Sequence, residues 1–172
     1  LMLAVSQGST DLTKILINKG VDVNARDINK KTALMIAAEK GFLKIVKLLL
    51  EERSQLNLRD RYGRTAWTLA ADNQHLKLVE FLSKKEINNQ DNLFYAVSHG
   101  LFGVVKILLD INVNTELQDS QGWTPLMWAA NNNLTKIVDI LLERGAEING
   151  SNGTNSSISG WTPLMLASGG GH

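Results

Sequence analysis

Three rows of residues hold one register along this chain, and that regularity limits the possible fold more than any other feature. Leu1, Leu34, Trp67, Leu93, Leu126 and Leu164 share a slot, at spacings of 33, 33, 26, 33 and 38 residues. Ala4, Ala37, Ala70, Ala96, Ala129 and Ala167 follow three residues behind them throughout. Thr13, Val46, Val79, Val105 and Val138 form the second row; Leu16, Leu49, Leu82, Leu108 and Leu141 form the third. Random apolar clustering does not keep such a register over five intervals. A fixed period of this length marks stacked units, each too small to bury its own apolar face and completed by its neighbours.

The stretch Gly122 to Asn149, GWTPLMWAANNNLTKIVDILLERGAEIN, shows how one unit works. Thr124 suits a helix N-cap, and Pro125 suits the first helical position, where its missing N–H costs nothing. Thr162-Pro163 repeats the device, while Thr32-Ala33 and Thr65-Ala66 keep the cap without proline. Ala129-Ala130 keeps the first helix slim, so a neighbour can approach closely. A second helix, roughly Thr135 to Glu143, places Ile137, Val138, Leu141 and Leu142 on one face. Gly145, like Gly20, supplies the left-handed residue after a helix end. Arg53 stands in that slot and predicts a strained turn, at a cost of about 1 kcal/mol relative to glycine.

The unit resembles the ankyrin repeat along the whole chain. Lys31-Thr-Ala-Leu-Met-Ile-Ala-Ala38, Gly122-Trp-Thr-Pro-Leu-Met-Trp-Ala-Ala130, Lys44-Ile-Val-Lys-Leu-Leu-Leu50 and Glu143-Arg-Gly-Ala-Glu-Ile-Asn149 carry the resemblance. It implies an all-α solenoid of stacked antiparallel helix pairs, with hairpin loops projecting from one edge. It also implies recognition of other proteins as the usual work. The expected layout is a single domain over 1–172, with units near 1–25 (partial), 26–58, 59–89, 90–117, 118–150 and 151–172 (partial). Leu1-Met2-Leu3-Ala4 repeats the Leu164-Met165-Leu166-Ala167 that follows Thr162-Pro163, so a window from a longer protein is expected. One departure is methionine at Met2, Met35, Met127 and Met165, where the family has the histidine of Thr-Pro-Leu-His. It is read as another way of packing adjacent units.

Two irregularities interrupt the period. Seven residues separate Glu86 from Leu93, against fourteen between Arg53 and Trp67. This predicts a missing hairpin, Asn88-Asn89-Gln90 as a short connection, and Asp91 as the cap. Between Gly145 and Leu164 lie five residues more than usual. The segment Gly150 to Gly160 therefore reads as an enlarged, flexible surface loop.

Composition removes several classes of function. The chain has no cysteine, which excludes disulfides and thiolate metal sites. Its longest apolar runs fall well short of a membrane span. The glycine-rich loop lacks the Gly-Lys-Ser/Thr ending that grips phosphates, and no His/Asp/Glu set has metal-ligand spacing. No cofactor and no catalysis are expected. His75 and His172 fall where ankyrin units commonly carry Gly-His, and are expected to be structural. Net charge is +1, but residues 1–86 carry +5 and residues 87–172 carry −4. Asn133, Asn152 and Asn155 head glycosylation sequons, which matter only in a secreted eukaryotic protein. The compartment is left open, with the cytoplasm as the default.

What remains is a binding surface for a partner protein. Trp67, Trp128 and Tyr95 replace leucine or isoleucine of other units and are expected in the core. Trp123 and Trp161 precede the capping threonine, in a slot that elsewhere holds Lys31 and Arg64; that variability predicts exposure, and tryptophan and arginine dominate interface energetics. With Arg61 and Tyr62 at a hairpin tip, and Asp72, Asn73, His99, Asn131 and Asn132 at first-helix ends, these residues form the candidate site. The basic tips admit nucleic acid as a partner. However, Asp27 and Asp60 dilute the charge and no nucleic-acid motif is present, so an acidic protein surface is the more economical choice. The alternative is that the chain serves as a targeting or regulatory arm of a larger enzyme, channel or secreted effector.

Overall fold

The fold described here is that of a computed structural model, which describes residues 1–85, 89–152 and 160–172. Every regular element among them is an α-helix. The chain divides into two compact units, Leu1–Glu86 and Ile87–His172.

The first unit contains α1 (Met2–Ser6), α2 (Thr10–Asn18), α3 (Ala33–Glu39), α4 (Leu43–Glu51), α5 (Ala66–Asp72) and α6 (Leu76–Ser83). The second contains α7 (Asn89–Ser98), α8 (Phe102–Asp110), α9 (Pro125–Asn131), α10 (Thr135–Glu143) and α11 (Pro163–Gly169). In each unit, first helices stack on first helices: α1 on α3 and α3 on α5, then α7 on α9 and α9 on α11. Second helices form the other layer, α2 on α4 and α8 on α10. With ten residues at most, none of these helices is stable alone, and packing supplies what helix propensity cannot.

The predicted rows are the core away from the chain ends, whereas Leu1, Leu16 and Ala167 are half-buried and Leu164 is 74% exposed. Ala37, Ala70, Ala96 and Ala129 are fully enclosed, as are Val46, Val79 and Val105 and their partners Leu49, Leu82, Leu108 and Leu141. Thr32, Thr65, Thr124 and Thr162 each cap a first helix by accepting an amide three residues on. The residue at the histidine slot still answers that cap in two units. Thr68 Oγ1 accepts the Thr65 amide at 2.8 Å, and Met127 Sδ accepts the Thr124 amide at 3.4 Å. Met127 therefore fills core space and keeps a weak version of the bond back, and Met35 is equally buried, whereas Met2 is half-buried and Met165 is 53% exposed.

Left-handed residues close both helix ends. Between paired helices they are Gly8, Gly41, Gln74, Gly100 and Asn133; after second helices they are Gly20, Arg53, Asn112 and Gly145. Arg53, at φ 62°, adopts the strained conformation that its slot predicted. Gly41 serves a second need, because a Cβ there would meet the His75 ring at 2.7 Å. His75 Nε2 donates to the Glu39 carbonyl at 3.0 Å, and His172 Nε2 reaches the Asn131 carbonyl, in the same slot, at 3.2 Å. Both histidines tie a unit to the helix end before it.

Several details depart from expectation. The first turn of α7 already contains Asn89, Gln90 and Asp91, so Asp91 lies inside the helix rather than capping it. Residue 88 lies outside the described residues, as does most of the enlarged loop, 153–159. Val138 and Leu142 are half-buried rather than core. They line a groove of about 340 Å³ with Leu126, Pro163 and Leu164, where no described element packs over them.

Candidate partner-binding surface

One carboxylate slot builds every described hairpin. Asp27 Oδ1 accepts the Asn29 and Lys31 amides, both at 2.8 Å. Asp60 Oδ1 accepts those of Tyr62 and Arg64 at 2.9 Å. Asp119 Oδ1 accepts those of Gln121 and Trp123, at 2.8 and 3.0 Å. In each case the backbone N–H of the aspartate returns a bond to the carbonyl four residues on. Asn152 repeats the device across the enlarged loop, its Oδ1 accepting the Trp161 amide at 2.7 Å. The five extra residues thus fall inside a closed base. Sequence reasoning passed over this row, although Asp27 and Asp60 are one full period apart and Asp60 and Asp119 each precede a turn glycine by three residues.

The tips of the first unit are bound to each other. The Arg61 amide donates to the Asn29 carbonyl at 2.9 Å, and its guanidinium reaches Asn29 Oδ1 at 3.1 Å. Arg26 donates to the carbonyls of Lys30 and Arg59. Tyr62 is 70% exposed, with the Arg64 guanidinium 5.1 Å from its ring centroid. Arg64 also holds Asp60 Oδ2 through Nε at 3.0 Å and Nη2 at 2.9 Å. Burial pushes the Asp60 carboxyl up, but the Arg64 amide and guanidinium and the Tyr62 amide outweigh it and keep it below the usual carboxylate range. The same bond raises the Arg64 guanidinium. Lys31 leans on the end of α3, with Nζ 2.7 Å from Glu39 Oε2. Asp72 and Asn73 stand exposed at the end of α5, where Asn73 Nδ2 donates back to the Leu69 carbonyl.

The second unit presents aromatics instead. Trp123 is half-buried, tilted against Trp128 with ring centroids 5.3 Å apart, and Trp128 Nε1 donates to Asp119 Oδ2 at 2.8 Å. The exposure predicted for Trp123 is therefore partial, while Trp161 is 36% exposed with its ring edge beside Gly169. Trp67 is fully buried, its indole N–H on Ser83 Oγ. Trp128 and Tyr95 correct the core expectation: both are half-buried, one drawn outward by Asp119, the other stacked on His99 at 4.0 Å. His99 is exposed at the end of α7, as is Asn132 beyond α9, where its Nδ2 holds the Trp128 carbonyl. Asn131 is half-buried and spends its carbonyl on His172. Each unit thus gathers candidate residues onto its hairpins and adjoining first-helix ends. No group of acidic residues and histidines among the described residues is arranged to hold a metal ion. No helix there is long and apolar enough to cross a membrane.

Helix pairs stacked in two layers, with hairpins closed by a repeated aspartate, define a helical repeat module. The family model for ankyrin repeats (3 copies) matches residues 1–92 and again 93–172, and the chain belongs to the ankyrin-repeat family. The rat ankyrin repeat and SAM domain-containing protein 6 is 35% identical over 83 residues, covering 48% of this chain and 9% of that protein. The Drosophila ankyrin repeat and KH domain-containing protein mask is 34% identical over 87 residues, covering 51% of this chain and 2% of that protein. The chain thus spans a small fraction of the length of these curated relatives. Among solved structures, the ankyrin repeat domain of Bcl-3 superposes with a TM-score of 0.83 at 25% identity, covering 96% of this chain and 76% of that one. A chain from the complex of a Bdellovibrio bacteriovorus predatory endopeptidase with its immunity protein gives 0.74 at 27% identity, covering 99% and 91%. Ankyrin repeats are in general protein-interaction modules, typically without catalytic activity.

Proposed function

We propose that this chain is a non-catalytic scaffold for protein–protein recognition. It presents hairpin tips and first-helix ends to a partner protein. The observation that carries the reading is the contrast within each hairpin between a fixed base and variable outward residues. The side-chain oxygen bonds of Asp27, Asp60, Asp119 and Asn152 recur from hairpin to hairpin, while Lys31, Arg64, Trp123 and Trp161 change in one slot. A surface held this way loses little ordering entropy on binding. The contact residues are those gathered above: Lys31, Arg61, Tyr62, Arg64, Asp72 and Asn73 in the first unit, and His99, Trp123, Asn131, Asn132 and Trp161 in the second.

The test is affinity capture with the full-length protein, compared with its Trp123→Ala, Trp161→Ala double variant and with alanine variants of the first-unit residues. A partner lost with these substitutions, at unchanged far-UV circular dichroism, supports the surface. A partner that none of them weakens removes it. A panel of hydrolase and transferase assays should find no turnover that depends on His75, His99 or His172.

A second reading is favoured by the small fraction of its curated relatives that this chain spans. In it, the repeats act as the targeting or regulatory arm of a larger enzyme, channel or secreted effector. A catalytic or membrane segment in the full reading frame supports that arrangement; a frame of repeats alone sinks it.

A further inference from the structure

We propose that the hairpin ridge of the first unit docks an acidic protein segment carrying an apolar residue among its carboxylates. The inference rests on the reading of the chain as a protein-binding module and names the chemistry of one of its surfaces.

Arg26, Lys30, Arg59 and Arg61 are all exposed, and none of them forms an ion pair among the described residues. The arginines are nevertheless held in place. Arg26 donates to the Lys30 and Arg59 carbonyls, Arg59 to the Gly63 carbonyl, and Arg61 to the Asn29 side chain. Every one of these acceptors is neutral. The charge is therefore uncompensated while the forks are already oriented, and each keeps donors for an incoming carboxylate.

Of the acidic residues that lie among these cations in the sequence, Glu51 and Glu52 stand at the C-terminal end of α4, a second helix, rather than on a hairpin, and the others do little to neutralise the ridge. Asp60 is 5% exposed and committed to Arg64 and two amides. Glu39 is paired with Lys31. That leaves Asp27, one of whose oxygens closes its own turn, against four cations.

Two apolar side chains stand on the same ridge: Ile28, 90% exposed, and Tyr62, 70% exposed, at neighbouring tips. They decide between classes of polyanion. A single-stranded nucleic acid stacks bases on Tyr62 but has no use for an aliphatic knob. A lipid surface is engaged by a whole amphipathic helix face rather than by two isolated tips. A protein segment with leucine or phenylalanine between aspartates and glutamates answers both the charge and the two knobs.

The experiment uses the full chain and a fluorescein-labelled peptide in which Asp/Glu runs flank a Leu-Phe pair, followed by anisotropy. Binding is expected to weaken as salt rises and to fall about tenfold or more in Arg61→Glu. A smaller loss is expected in Ile28→Asn, and matching losses when the peptide carries Asn/Gln or Ala-Ala in place of its acids or its apolar pair. Melting curves check that both variants stay folded. Absence of binding, or binding indifferent to Arg61→Glu, overturns the inference. So does tighter, Arg61-dependent binding to a single-stranded RNA or to phosphatidylserine vesicles. If the peptide fails while captured partners are still lost in the double tryptophan variant, the acidic-segment inference falls and the binding-module reading stands.

Discussion

The hairpins headed by Asp60 and Asp119 start from the same backbone and end with different surfaces. In both, Oδ1 takes the amides two and four residues on, so the turn is closed without regard to the side chains those residues carry. The difference lies at Oδ2. In the first unit it accepts the Arg64 guanidinium, and in the second it accepts the Trp128 indole N–H, over which Trp123 tilts. One carboxylate oxygen builds the loop and the other selects what the loop displays. The position four residues on is therefore free to vary, and the first unit shows charge where the second shows aromatic rings.

The largest expected effect tests whether the interiors of the two units are equivalent beneath these different tips. Leu49 and Leu141 share a slot and are both fully buried. Leu49→Ala and Leu141→Ala should each lower stability by about 2–5 kcal/mol in urea unfolding, as buried truncations do. A loss near zero for either would mean its unit does not close around that row.

Next comes the carboxylate itself. Asp60→Asn should cost about 2 kcal/mol, since it weakens charge-assisted bonds to two amides and a guanidinium inside the fold. The depressed pKa of Asp60 adds a pH signature. Its contribution is fully present above the ordinary carboxylate value of about 4 and is lost as pH falls through the lower folded value. Subtracting the Asp60→Asn stability profile from that of the wild type should give a difference that shrinks below about pH 4. A difference that stays flat into acid would remove the ionised bond from the account. Asp119→Asn loses the acceptor for the Trp128 indole but breaks no ion pair, and should cost less, which urea titration of both variants measures.

The sequence made the stacking legible because burial is periodic: a slot that must be apolar shows itself by repetition, from Val46 to Val105. Caps were legible for the same reason. The aspartate row was not, because a lone Asp in a polar loop looks like any solvated charge until its two amide bonds are seen. Analogy with the leucines of its slot predicts Trp128 in the core, and only the hairpin oxygen facing it reveals why it sits half outside. The surface was legible as residue types and their variability. Which cations are already paired, Lys31 and Arg64 but not Arg61, depends on contacts that no repeat pattern encodes.

Trp123→Ala extends the tip comparison at smaller cost. It removes an aromatic pair worth about 1 kcal/mol beyond area burial. Trp161, paired with no other ring among the described residues and more exposed, should lose less on the same change. Thermal melts of the two single variants separate them, and equal losses would mean the Trp123–Trp128 contact contributes nothing of its own.

The smallest effect runs the other way and pits one slot of the first unit against its counterparts. The residue after the left-handed helix stop donates its amide back to the second helix in every described case: Val21 to Leu16, Ser54 to Leu49, Val113 to Leu108 and Ala146 to Leu141. Three of these four side chains are apolar. Ser54 is 8% exposed and its Oγ is buried without a hydrogen-bond partner among the described residues. An unmet hydroxyl there carries a desolvation cost that no bond offsets, whereas a methyl group loses nothing by burial. Ser54→Ala should therefore raise stability by about 1 kcal/mol, read as a higher urea midpoint at unchanged slope, while Ala146→Ser in the second unit should lower it by a similar amount. If Ser54→Ala destabilises, the hydroxyl has a partner in solution, and this slot of the first unit is satisfied in its own way rather than being a poorer copy of the second.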